Sequence, residues 1–285
     1  MEMLKTAQIV VTSSVLLCMS AVSTLADGGV VAASAIKARG LDRIVVDVLS
    51  HQTAVLGDQL DGREFTVPPV IVATDADDLW PLFQEHSASL NEEELSDAFK
   101  RRCTSPNDRA FGVFTGDAIA LCVFLSETSA PEAERKFISI ALAHELYHSV
   151  QFQSVGLSRL AEIDDTLDAF GPAWLMEGSA FYFGEFFGCD TCDLDIESVT
   201  DGVRELTSRI TTPLSKLEYF SDDPRLADAM YYKGFLAAMM LAHDHGDGAI
   251  LEFYHRMGEG HDWKSAFRSA FAEDITEFYV RFESG

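Results

Sequence analysis

Two histidines separated by three residues carry the strongest chemical signal in this chain. The stretch "AHELYHSVQFQ" places His144 and His148 about one helical turn apart, with Glu145 directly after the first histidine. On a helix the two imidazoles project from one face, while the glutamate lies about 100° around the axis. Imidazole nitrogens are common zinc ligands, and a neighbouring carboxylate is suited to act as a general base toward water. The pattern therefore predicts half of a metal site with a base beside it.

A hydrolytic zinc site needs a third protein ligand and one open position for water. Glu177, within "WLMEGSAFYFGE", lies in an otherwise apolar run on the next strongly helical segment. A carboxylate on such a face is costly to bury unless a metal or another partner accompanies it. We therefore expect Glu177 to complete a site for one zinc ion per chain together with the two histidines. Glu185 lies about two turns further along the same face and is the competing candidate.

Helices are predicted to position all of these side chains. Ser129-Ala-Pro-Glu132 fits a capping box with a proline in the first turn, and apolar residues follow it. We expect this helix to run from about 130 to 153 and to carry both histidines in its second half. A second helix should start near Pro172 and carry Glu177.

The first half of the chain also carries strand signals. The segment "AFGVFTGDAIALCVFLSE" (110–127) predicts a hairpin around a Thr-Gly-Asp turn. The segment "FTVPPVIVATD" (65–75) predicts a strand that lies at a sheet edge or is entered through its two prolines. Helices are predicted around 44–49 and over 90–103.

The second half of the chain is predicted to be mostly helical. The segment "YYKGFLAAMMLAHDHG" predicts a helix that ends at Gly246, and the tail predicts two short helices separated near Asp274. The expected fold class is therefore α+β, with a small mixed sheet in the first half together with the histidine helix. We expect an N-terminal subdomain over 27–155 and a C-terminal subdomain over 156–285.

The charge balance restricts the partners of this chain. It has 285 residues, with 21 Lys+Arg against 46 Asp+Glu and a formal net charge of −25. Such a surface repels phosphate backbones and anionic lipid, so we expect no nucleic acid and no polybasic docking to a membrane.

Residues 1–26 are typical of a secretory signal peptide. Lys5 precedes an apolar run from Ile9 to Val22, and small and polar residues follow, with cleavage expected after Ala26. Because Glu2 offsets Lys5, an uncleaved membrane anchor is the alternative. We expect an exported protein, periplasmic or extracellular, with no membrane association once the leader is removed.

The cysteine count agrees with export. The chain has five cysteines, of which Cys18 lies in the leader. The even number that is left suits disulfides in an oxidising compartment. The simplest pairing joins Cys103 to Cys122 and Cys189 to Cys192, although the sequence alone allows three pairings.

The stretch "HELYHSVQFQ" followed by "WLMEG" resembles the gluzincin superfamily of zinc metallopeptidases. The Trp-Leu-x-Glu-Gly trace is similar to the aminopeptidase N group, and the longer gap between His148 and Glu177 is more similar to the bacterial collagenase type. The resemblance implies a zincin-like catalytic domain in which His144, His148 and Glu177 bind zinc. It also implies that Glu145 polarises the attacking water.

A further stretch supports the same resemblance and refines it. "YYKGF" resembles the Tyr-x-Lys-Gly stretch of aminopeptidase N relatives, which implies Tyr231 as the donor to the tetrahedral oxyanion and Tyr232 as the alternative. The chain has no counterpart of the Gly-x-Met-Glu-Asn stretch with which aminopeptidases hold a free amine. The resemblance therefore implies a zinc-dependent endopeptidase rather than an exopeptidase.

One carboxylate of the gluzincin pattern is missing from its usual place. Phe181 stands where some gluzincins have an acidic residue that orients a ligand histidine. Such a partner is expected on physical grounds, and the candidates are Asp164, Asp165 and Asp168.

The leading hypothesis is an exported metallopeptidase that acts on a peptide or protein substrate. An edge strand within 110–126 would pair with the extended substrate by strand addition. The alternative from another class is an inactive, zinc-stabilised binding or interaction protein on the same scaffold. A globular domain without metal would require both the histidine pair and Glu177 to be coincidental.

Overall fold

A four-stranded mixed sheet lies in the first half of the chain. The computed structural model describes residues 29–87, 103, 110–124, 131–156, 165–188, 196–221 and 223–284. The strands are β1 (Val30–Ala32), β2 (Val70–Ala73), β3 (Ala110–Phe114) and β4 (Ile119–Val123), and their order in the sheet is β1-β2-β4-β3. β2 pairs in parallel with β1 and β4, and β3 pairs antiparallel with β4. The predicted class, α+β with a small mixed sheet, is confirmed.

The predicted hairpin is formed by β3 and β4. The Thr115 backbone N–H donates to the Ala118 carbonyl at 3.0 Å and closes the turn. For the strand predicted within 65–75, which is β2, the sequence allowed a place at the sheet edge. That alternative is wrong, because β2 lies between β1 and β4. The second alternative, in which the chain enters the strand through its two prolines, is confirmed. Pro68 and Pro69 precede Val70, so every backbone N–H of β2 can take part in hydrogen bonds between strands.

Helices make up most of the rest of the described chain. In the first half they are α1 (Ser34–Ala38), α2 (Leu41–Gln59), α3 (Ala76–His86) and α4 (Pro131–Val155). In the second half they are α5 (Thr166–Phe170), α6 (Ala173–Phe187), α7 (Ile196–Thr207), α8 (Pro224–His245), α9 (Gly248–Gly258), α10 (Trp263–Phe271) and α11 (Ile275–Ser284), with a short 3₁₀ helix at Leu214–Lys216. The predicted histidine helix is α4, and the predicted helix around 44–49 is α2.

Local signals explain several of the helix ends. Asp223 accepts a hydrogen bond from the Arg225 backbone N–H at the start of α8, and Pro224 occupies the first turn. Gly246 ends this helix with a positive φ of 88°, as the sequence predicted. The two predicted tail helices are α10 and α11. Asp274 caps α11 by accepting from the Thr276 N–H at 3.0 Å.

The chain divides into two compact units. The first comprises residues up to Leu56 together with Phe65–Ser149 and Gly184–Leu194, and the second comprises Gly57–Glu64, Val150–Phe183 and Asp195–Gly285. The division falls within α4 and within α6, so each of these continuous helices contributes a part to both units. The subdomain boundary expected at residue 155 stays a prediction.

Each unit has its own core. In the first unit the buried strands β2 and β4 contact α3, and β2 also contacts α1. In the second unit α8 contacts α7 and α9, and α9 contacts α10. The second core is rich in aromatic side chains that contact one another, including Trp174, Phe253, Phe267, Phe271 and Phe278.

Cys103 and Cys122 lie at disulfide distance, which confirms the simplest pairing predicted for these two residues. A disulfide is typical of a protein outside the reducing cytoplasm. Among the described residues, no helix is both long and apolar enough to cross a membrane. The predicted leader, the helix over 90–103 and the pair Cys189 and Cys192 lie outside the described residues, apart from Cys103 itself.

Candidate metal centre

α4 carries the two histidines on one buried face. His144 and His148 are each only 2% exposed, although the polar imidazole is costly to bury without a partner. The Nε2 atoms of the two rings lie 2.9 Å apart. The predicted spacing of one helical turn is therefore confirmed, and both rings present nitrogen to the same point.

Glu177 brings a carboxylate to the same pair. It lies on α6 and is fully buried, with an exposure of 0%. One ligand atom from each of His144, His148 and Glu177 lies within 4.8 Å of the others, so the three side chains can hold a metal ion. The cluster predicted from the sequence is therefore present as a buried group of two imidazoles and one carboxylate.

Glu185, the competing third ligand, does not belong to this cluster. It is partly buried near the end of α6, and burial raises its pKa from 4.5 to about 7, while the Lys136 ammonium opposes that shift. Glu177 and Glu185 were both candidates for the third metal ligand because each lies in an apolar run, but the structure places them differently. Glu177 joins the histidines, and Glu185 is shifted toward its neutral form.

The donor set fits zinc. Zinc accepts two imidazoles and one carboxylate in three-ligand sites, with metal–ligand distances of about 2.0–2.2 Å. Tetrahedral ligands at such distances lie about 3.3 Å from one another. The histidine nitrogens at 2.9 Å and the outer limit of 4.8 Å for the set bracket that spacing, so short side-chain movements suffice. The same donor set also suits other divalent metals that bind nitrogen and oxygen.

The Glu145 carboxylate contacts strand β3. Its Oε2 accepts a hydrogen bond from the Phe114 backbone N–H at 2.7 Å, and the residue is 1% exposed. A Cβ atom added to Gly112 would lie 2.6 Å from the Glu145 Cγ. The absence of a side chain at Gly112 therefore makes room for Glu145, and the main chain of β3 orients its carboxylate.

Gln151 is a buried polar residue of this region that the sequence analysis did not single out. Its side-chain amide donates to the Met176 carbonyl at 3.1 Å and to the Ser179 Oγ at 3.0 Å. The signal was present in the spacing, since Gln151 follows His148 by one helical turn on the same face. Gly112 gave no comparable signal, because its role depends on where α4 lies.

α6 and α8 cross in direct backbone contact beside Glu177. A Cβ atom on Gly178 would lie 2.1 Å from the Gly234 carbonyl carbon, and one on Gly234 would lie 2.3 Å from the Trp174 carbonyl oxygen. The glycines of the Glu-Gly and Lys-Gly pairs, which belong to the family resemblance, are therefore contact points of the two helices. This crossing fixes the turn of α8 that carries Tyr231 relative to the turn of α6 that carries Glu177.

The two tyrosines considered as oxyanion donors both lie on α8. Tyr231 is 4% exposed, and Tyr232 is half-buried. Burial, and then the charge of Asp228, raise the pKa of Tyr232 to about 12, so this phenol keeps its proton at neutral pH. The role of either hydroxyl in chemistry stays a prediction.

Two of the three aspartates predicted as possible partners of a ligand histidine lie within the described residues. Asp165 and Asp168 are exposed, and the Asp165 carboxylate accepts from the Leu167 N–H at 2.8 Å as the cap of α5. Asp164 lies outside the described residues.

No protein-family model, no curated protein and no solved structure matches the chain.

Proposed function

We propose that this chain is an exported zinc metallopeptidase that hydrolyses internal peptide bonds of peptide or protein substrates. The observation that carries the proposal is the buried cluster of His144, His148 and Glu177, with Glu145 adjacent to the first histidine. Buried polar groups of this kind are costly unless they serve a bound ion or a specific network. A zincin-like catalytic domain of the gluzincin type is the architecture that the motif resembles.

Three side chains of this chain would hold the ion, and a fourth would move the proton. His144 and His148 would bind through imidazole nitrogen and Glu177 through a carboxylate oxygen. Zinc in such a site supplies a Lewis acid that lowers the pKa of water toward neutrality. Glu145 is the group that accepts the proton of the attacking water at its carboxylate and returns it to the leaving amine. Its hydrogen bond from the Phe114 N–H restricts the orientation of that carboxylate.

Tyr231 is proposed to donate a hydrogen bond to the oxyanion, with Tyr232 as the alternative. A preorganised phenol stabilises the charge that develops on the substrate carbonyl oxygen. Two features support this assignment: the buried position of Tyr231 on α8 and the backbone contact of α8 with α6 at Gly234.

Strand β3 is proposed to bind the extended substrate by strand addition. It ends the sheet order β1-β2-β4-β3, so it has a neighbouring strand on only one side within the described chain. The Phe114 N–H is engaged by Glu145, so pairing would use main-chain groups of β3 that precede Phe114. A substrate held there would lie beside the proposed base.

The first test of the proposal is the metal content of the purified chain. We expect about one zinc per chain in the wild type and a strong loss in Glu177→Ala. Glu185→Ala is the matched control, because it removes a carboxylate from the same helix without touching the cluster, and it should retain zinc. Absence of zinc from the wild type after reconstitution would overturn the metal site.

The second test separates chemistry from metal binding. Glu145→Gln keeps the size of the side chain and an oxygen acceptor for the Phe114 N–H but removes the base. Zinc content should be unchanged, and peptide hydrolysis should fall by at least about 100-fold. Hydrolysis at the wild-type rate would refute the assigned base, and zinc binding without any turnover in the wild type would favour an inactive binding protein.

A further inference from the structure

We propose that Gln151 is a positioning residue of the metal centre, which ties the ligand-bearing turn of α6 to the ligand-bearing helix α4. The inference rests on the metal site of the proposed function and does not depend on peptidase activity. It extends the histidine motif by three positions, from His-Glu-x-x-His to His-Glu-x-x-His-x-x-Gln.

Gln151 lies on the same face of α4 as the two histidines. It follows His148 by three residues and His144 by seven, so the three side chains form one stripe along the helix. The stripe is buried along its length, with exposures of 2% for each histidine and 0% for Gln151. Because the helix is continuous over Pro131–Val155, the position of Gln151 relative to His148 is set by the helix itself.

Gln151 is joined to α6 by two side-chain hydrogen bonds. Its Nε2 donates one hydrogen bond to the Met176 carbonyl at 3.1 Å and one to the Ser179 Oγ at 3.0 Å. The Ser179 hydroxyl donates in turn to the Met176 carbonyl at 3.3 Å. These contacts enclose Glu177, since one acceptor precedes it in the sequence and the other follows it. A helix held on both sides of a residue has little freedom to rotate or slide at that residue.

A side-chain amide is the residue type that suits this position. Only a side-chain amide presents two N–H groups on one nitrogen while remaining neutral, so it can serve two acceptors in a buried place without a charge to solvate. Leucine has a similar size and would fill the space but would release both acceptors. The Met176 carbonyl and the Ser179 hydroxyl would then lose a buried partner, and the turn that carries Glu177 could shift.

A second buried glutamine provides a matched control. Gln52 is also 0% exposed, and its Nε2 donates to the carbonyls of Ser139 and Gly188, each at 2.8 Å. It has the same chemistry and the same number of acceptors, but these acceptors do not flank a member of the cluster. Gln52→Leu should therefore reproduce the loss of stability without the effect on metal binding.

The experiment measures zinc affinity of the full chain by competition with a chromophoric chelator, for the wild type, Gln151→Leu and Gln52→Leu. The visible absorption spectrum of the Co²⁺-loaded forms is recorded beside it, because it reports the arrangement of ligands around the ion. We expect Gln151→Leu to bind zinc about tenfold or more weakly and to show an altered Co²⁺ spectrum. Gln52→Leu should lie within about threefold of the wild type and keep its spectrum.

Each outcome decides the matter. Equal affinities and spectra for both leucine variants would overturn the positioning role and leave Gln151 a purely structural residue. A wild type that binds no zinc would overturn the metal site itself, which is a separate failure. Should Gln151→Leu not fold, Ser179→Ala removes only one of the two acceptors; weaker zinc binding in that variant supports the role, and unchanged binding refutes it.

Discussion

The contact between Gly112 and Glu145 allows a prediction with a calculable size. A methyl group at position 112 would lie 2.6 Å from the Glu145 Cγ and 3.1 Å from its Oε1. Carbon atoms in contact lie about 3.5–4.0 Å apart, so Gly112→Ala leaves Glu145 roughly 1 Å too close. The carboxylate must then move away from β3, and the hydrogen bond of 2.7 Å from the Phe114 N–H is lost.

Two magnitudes follow from that displacement. Loss of a buried hydrogen bond to a charged group should lower the free energy of unfolding by about 1.5–3 kcal/mol. In the proposed mechanism, misplacement of the base by about 1 Å should lower kcat for peptide hydrolysis by about 100-fold. Zinc affinity should change little, because the three atoms nearest to the new methyl group all belong to Glu145.

The assay is urea denaturation of Gly112→Ala beside Gly57→Ala. Gly57 is an exposed position of α2 where an added Cβ meets no atom within 4 Å, so that variant should be stabilised by up to about 1 kcal/mol. A double variant with Glu145→Ala completes the test, since removing the carboxylate should abolish the cost of the methyl group. The reasoning is refuted if Gly112→Ala is as stable as the wild type, or if its cost is unchanged in the Glu145→Ala background.

Three other perturbations test the helical part of the chain, each by urea denaturation. Gly178→Ala would place a Cβ 2.1 Å from backbone carbon of Gly234, so it should cost about 3 kcal/mol, and a neutral result would exclude the backbone contact of α6 and α8. Burial raises the folded pKa of Glu185 from 4.5 to about 7, so the wild type should lose about 3 kcal/mol of stability as the pH rises through that interval. Glu185→Gln should not show that loss, and parallel pH profiles for the two proteins would contradict the assignment. Glu283→Gln keeps an acceptor for its neighbours but removes the negative charge that lies 3.1 Å from the nearly buried Lys233 ammonium. Because Glu283 itself is 38% exposed, the substitution should lower the free energy of unfolding by only about 1 kcal/mol. A loss of stability that stays the same in high salt would argue against an ionic effect.

The parts of the structure that follow from local chemistry could be predicted from the sequence. The histidine spacing, the proline near the start of α4 and the glycine after α8 act within a few residues, and the structure has the corresponding helices. The hairpin of β3 and β4 likewise depends on its own turn residues. Glu177 could be predicted because a carboxylate in an apolar run is costly to bury unless a metal or another partner accompanies it.

The parts that were missed depend on contacts between distant segments. β1 has three residues, which is too short for any alternation to be read, and it exists through its parallel pairing with β2. α3 contains Pro81, which argues against a helix in the sequence, yet Asp75 caps it by accepting from the Asp78 N–H. The sequence also left the place of β2 in the sheet open, because prolines occur both where a strand begins and on edge strands. Its central place is set by pairing with the distant strands β1 and β4.

The hydrogen bond that orients Glu145 also bears on self-association. The exposed margin of a sheet is a template on which a second copy of a chain can add a strand, and proteins often protect such margins with charge. Here a carboxylate lies against β3 and engages the Phe114 N–H. This hydrogen bond leaves the Phe114 N–H unavailable to a second strand, so we expect variants that shorten the Glu145 side chain to be more prone to aggregate.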